Sequence, residues 1–113
     1  MPTIICTLGT DHADAALNRP ALVLRPAEVE EVLPFVRAGA MPILSAFLNA
    51  EQRSMGASQL PALRAELRAA LSAIDAPQLP GRIVPALALQ RLDSACWTAQ
   101  ELGLNLYARV EED

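Results

Sequence analysis

The apolar residues of this chain fall into short runs in its first half and at helical spacing in its second. Thr3-Ile4-Ile5-Cys6-Thr7-Leu8 is β-branched and apolar and is closed by Gly9, which predicts a buried strand. Thr10 to Pro20 is polar and alanine-rich and reads as a loop with room for one helical turn. Ala21-Leu22-Val23-Leu24 is a second predicted strand.

Pro26 opens a helix where its missing N–H costs nothing, and Glu28, Glu30 and Glu31 follow where negative charge suits the helix dipole. Val29, Val32, Leu33 and Val36 make one apolar stripe. Pro34 predicts a break near Leu33, and Gly39 is the expected C-terminal stop. Pro42-Ile43-Leu44-Ser45-Ala46-Phe47-Leu48 reads as a third strand. Asn49 to Ser58 reads as a polar connection, with a helical turn about Glu51 to Met55.

Ser58 is the expected N-cap of a helix reaching Ile74, with Leu60, Leu63, Leu67, Leu71 and Ile74 on one side. Its other side carries Ala62, Ala65, Ala69 and Ala73. Helix propensity alone accounts for that; close packing of a second element or of another subunit is the alternative. Pro77, Pro80 and Gly81 predict a break from Asp75 to Gly81. A last helix is then expected from Arg82 or Pro85 to Leu102, its apolar face made by Ala88, Leu92, Ala95, Cys96, Ala99 and Leu102 and its stop by Gly103. Leu104 to Val110 alternates apolar and polar, as a half-buried strand does.

This order predicts an α+β two-layer sandwich, one compact domain over residues 1–113, with a roughly four-stranded mixed sheet and three helices packed on one face. The helix from Pro26 to Ala38 is expected to act as a crossover that makes the strands it links parallel.

Composition narrows the function. The chain has 113 residues, 52% hydrophobic but only 4% aromatic, so its core is aliphatic. Nine arginines and no lysine reflect the codon bias of a GC-rich, bacterial type of genome. The net charge of −4 and the scattered arginines argue against nucleic-acid binding. No apolar run reaches the ~18 residues of a membrane span and no signal segment is evident, so no membrane association and a cytoplasmic location are expected. Cys6 and Cys96 stand in apolar contexts where free thiols behave as small hydrophobes.

Candidate chemistry is sparse. Asp11-His12-Ala13-Asp14 is the one place where an imidazole meets carboxylates, just after a strand end. With Cys6 close by, His12, Asp11 and Asp14 form an alternative ligand or enzymatic site; the plainer reading is a solvated turn in which Asp11 or Asp14 caps a short helix. No paired metal ligands, glycine-rich phosphate loop or nucleophile elbow is present, so no catalytic residues, cofactor or metal are expected. Trp97 falls beside Gln90, Asp93 and Glu101, with Ile83 and Ala86 earlier on the same side, away from the core stripe. It is either covered by a loop or exposed as a partner anchor. Arg64 and Arg68, one turn apart, imply an acidic group between them, from Glu28 to Glu31, from the acidic C-terminal residues, or from a partner.

The expectation is a small acidic non-enzymatic protein-binding module of inhibitor, immunity or accessory type, touching a protein partner through Trp97, Gln90, Ile83, Arg64 and Arg68. Homodimerisation by edge pairing of Leu104–Val110 or Thr3–Leu8 is a further expectation.

Overall fold

The structure is a computed structural model that describes residues 3–36, 40–49, 51, 53–74 and 80–111. Its strands are β1 (Thr3–Gly9), β2 (Leu22–Leu24), β3 (Ser54–Met55) and β4 (Asn105–Glu111). Its helices are α1 (His12–Leu17), α2 (Pro26–Val32), α3 (Pro42–Leu48), α4 (Leu60–Ala73) and α5 (Pro80–Leu102), with a 3-10 turn at Leu33–Phe35. The α+β class holds. The expected stop at Gly39, the break at Asp75–Leu79 and the residues Glu112 and Asp113 lie outside the described residues.

The sheet order is β2-β1-β4-β3, and each pairing is antiparallel, including β1 with β4 from Thr3↔Glu111 to Gly9↔Asn105. The expected mixed sheet is therefore corrected. Its parallel member, residues 42–48, is the helix α3. Leu44, Phe47 and Leu48 are its buried side chains, with Met41 buried at its N-cap, a helical period rather than an alternating one. Pro42 occupies the first helical turn. The free N–H of Leu44 donates to Glu66 Oε1 of α4 at 3.0 Å, so a neighbouring helix caps α3. The fourth strand is instead Ser54–Met55, which pairs with Tyr107 and Leu106. β1 and β4, expected as edges for homodimerisation, are the two central strands.

Even-numbered residues of β1 and β4 (Ile4, Cys6, Leu106) point into the helical layer and are buried. α5 packs on β2 and β4, α2 and α4 flank α5, and α3 packs on α4. α1 lies on the opposite face, where Gly9 lets Ala15 come close. The described residues thus hold five helices, on both faces, rather than three on one. Pro34 falls where α2 tightens into the 3-10 turn. α4 starts at Leu60 with Gln59 rather than Ser58 as its N-cap, and Gly103 ends α5 at φ +67°.

Candidate functional site

Two surfaces collect the candidate residues. The first is the outer face of α5. At about 100° per residue, Pro85, Ala88, Leu89, Leu92, Ala95, Cys96 and Ala99 turn inward and are buried. Ile83, Val84, Leu87, Trp97 and Leu102 stay exposed, Trp97 by 51% and Leu102 by 66%. Trp97 is thus on the surface beside exposed Gln90 and Ile83. Leu102, assigned to the core face by its period, is corrected to the surface. Ala86, placed beside Trp97, is buried instead.

Beside this face runs a groove of about 710 Å³ between α5 and the edge strand β2. Leu87, Gln90, Arg91 and Ser94 form one wall; Pro20, Leu22 and Val23 form the other. Arg91 pairs with Glu28 of α2.

Arg64 lies on the far side of α5. Its Nε donates to Asp93 Oδ1 at 2.9 Å and its Nη1 to Gln100 Oε1 at 3.4 Å. The acidic group beside Arg64 is therefore Asp93, not the Glu28–Glu31 run. Arg68 is exposed, as are Ala62, Ala65, Ala69 and Ala73 of α4.

The second surface is a cavity of about 310 Å³ on the opposite face of the sheet, lined in part by Thr7, His12, Arg53, Tyr107 and Arg109. His12 packs against Tyr107, ring centroids 4.3 Å apart. Tyr107 Oη accepts from Asn105 Nδ2 at 3.2 Å, which leaves the phenol proton free to donate. Arg109 lies 3.6 Å from Glu111, both well exposed.

The expected grouping of His12 with Asp11, Asp14 and Cys6 does not assemble. Asp11 accepts from the Asp14 N–H at 2.8 Å and caps α1. Asp14 accepts from the Thr10 N–H at 2.8 Å. Cys6 faces the other side of the sheet toward Cys96. Both thiols are free and buried. Burial foremost, and then each thiol's neighbouring group, pushes both up to about 12. Among the described residues no three metal-binding side chains gather.

Arg53, Tyr107 and Arg109 line the His12 cavity without any local sequence motif that marks them. Strand alternation does place Tyr107 and Arg109 on one face, but nothing local brings His12 to them. No protein-family model matches the chain, and no curated protein or solved structure matches it either.

Proposed function

We propose that this chain is a small protein-recognition module whose contact surface is the outer face of α5, acting by masking or accompanying a partner. One observation carries this: five large apolar side chains of a single helix, the only tryptophan among them, remain in solvent beside a groove. Grouped exposed apolar side chains mark interaction sites, and tryptophan is over-represented among binding hot spots. The occupant that suits this face is an apolar-sided helix. Ile83, Trp97 and Gln90 belong to the surface; Arg64 is engaged internally by Asp93, and Arg68 stands on α4 away from the stripe.

The test is affinity capture from native lysate with the wild-type chain, Trp97→Ala and Leu87→Ala, with circular dichroism confirming that both variants fold. A protein held stoichiometrically by the wild type and lost from both variants supports the proposal. An identical capture pattern for all three removes α5 from it.

A second reading rests on the His12 cavity. The chain's single histidine, its single tyrosine and two of its nine arginines line one depression, and no carboxylate is among its described lining residues. That chemistry suits a small anion bearing a carboxylate or phosphate. Calorimetric titration with inorganic phosphate and with citrate tests it. Saturable binding weakened by Arg53→Ala and by Arg109→Ala is expected, and heats equal to those of dilution would dismiss it.

A further inference from the structure

We infer that the cavity beside His12 takes a small organic phosphate monoester, its phosphate met by Arg53 and Arg109 and its carbon body laid against the apolar side of the lining. This rests on the cavity being an anion site and names which anion.

Charge comes first. The chain carries a net −4, yet the described lining of this cavity holds two guanidiniums and no carboxylate. Asp11 and Asp14 lie next to His12 in sequence, but their carboxylates accept from the Asp14 and Thr10 N–H groups and stay out of the lining. Among the described residues no carboxylate pairs with Arg53. Glu111 lies 3.6 Å from Arg109, but their side chains are 59% and 62% exposed, and such a pair is screened and weak. The sheet sets the two cations side by side: Ala108 N–H donates to Arg53 O at 2.8 Å, so Arg53 lies across from the residue that precedes Arg109.

The donors come second. Thr7 and Tyr107 are opposite one another on β1 and β4 and both line the cavity. The Tyr107 hydroxyl accepts from Asn105 Nδ2, so its own proton is left to donate. The imidazole of His12 carries at least one N–H. Asn18 has already spent its Nδ2 on Leu8 O at 2.7 Å.

This set is larger than a carboxylate can use. A carboxylate brings one charge and two oxygens. A phosphate monoester brings about −1.5 to −2 and three terminal oxygens. Its two charges match the two guanidiniums, each able to donate as a fork.

The carbon body follows from the rest of the lining. Ala15, Ala16 and Pro20 make one side of the cavity apolar, and Ala16 and Pro20 are exposed. Inorganic phosphate would leave that side in water, whereas an ester covers it. The volume of about 310 Å³ stands at the small end of the roughly 300–1,000 Å³ of ligand sites, so the body is about one ring or a short chain.

The experiment is calorimetric titration of the full chain with phenyl phosphate, benzoate and inorganic phosphate, with proton NMR of the His12 and Tyr107 rings alongside. The chain has one histidine and one tyrosine, so those resonances report this cavity alone. Phenyl phosphate is expected to bind tighter than either of the other two by about ten-fold or more and to shift both rings. Arg53→Ala and Arg109→Ala should each weaken it by about ten-fold or more. Both arginines are exposed, so the fold survives their loss. Tyr107→Phe, which keeps the ring, should weaken it about ten-fold. Glu111→Gln should tighten it roughly two- to five-fold by releasing Arg109. Arg68→Ala, at an exposed arginine on α4, should change nothing.

Benzoate or inorganic phosphate binding as tightly as phenyl phosphate would overturn the monoester and leave an anion site standing. Absence of heat and of ring shifts with all three would overturn the site itself, as would binding that neither arginine substitution weakens.

Discussion

Gly9→Ala tests the contact that holds α1, and with it His12, on the outer face of the sheet. A Cβ at Gly9 would lie 2.5 Å from Ala15 N, 2.7 Å from Ala15 Cα and 2.9 Å from Ala15 Cβ. Carbon atoms pack at about 3.5–4.0 Å, so α1 must retreat by about 1 Å. It is tied at both ends to the end of β1 and the residue after it, by the Thr10 N–H donating to Asp14 Oδ2 at 2.8 Å and by Asn18 Nδ2 donating to Leu8 O at 2.7 Å. Gly9 is not among the positive-φ glycines, so the whole cost is steric. Overpacking of this kind costs about 1–3 kcal/mol. At about 4 °C per kcal/mol for a chain of this size, Tm should fall by roughly 4–12 °C. Adding Ala15→Gly should not rescue it, since the two nearest contacts are with backbone. Gly81→Ala is the control: its Cβ meets nothing within 4 Å, and a helical alanine should leave stability unchanged or raise it by up to about 1 kcal/mol. The assay is urea unfolding together with proton NMR of the His12 ring, which feels the Tyr107 ring current at 4.3 Å. A Gly9→Ala chain as stable as wild type, with its His12 resonances unmoved, would refute the close approach.

The buried thiols predict alkaline sensitivity. Both are pushed from 9.0 up to about 12, so between those values the unfolded chain loses protons that the native chain keeps. Stability should therefore fall as pH rises through 9, by up to about 1.4 kcal/mol per pH unit per thiol. Urea midpoints at successive pH values would show this; a flat profile, or rapid reaction of native thiols with Ellman's reagent near neutrality, would contradict it. Glu66→Ala should cost about 1 kcal/mol, as loss of a helix cap does, and should speed hydrogen exchange at the Leu44 amide. Unchanged exchange there would mean that Glu66 does not hold α3.

Much of the fold is legible in local periods. β1, β2 and β4 lie within one residue of the expected runs, because strand alternation and turn residues are properties of adjacent positions. The α4 stripe and the break at Pro34 follow from the same kind of local rule. Residues 42–48 defeated it: a short run, apolar but for Ser45 and preceded by Ala40 and Met41, serves a strand or a helix equally well. What selects the helix is the carboxylate of Glu66, which satisfies the Leu44 amide from α4. Ser54 and Met55 become a strand only because β4 offers them an open edge.

The candidate site divides along the same line. That Trp97 stands off the core stripe can be counted from the helical period. Whether a loop covers it cannot, because coverage depends on chain segments far away in sequence. His12 meets Tyr107 across 95 positions, and only the β1–β4 register closes that distance. Short-range periodicity, set by backbone geometry, thus tells which faces an element has; long-range pairing, set by which distant groups can satisfy one another, decides which of those faces meets water.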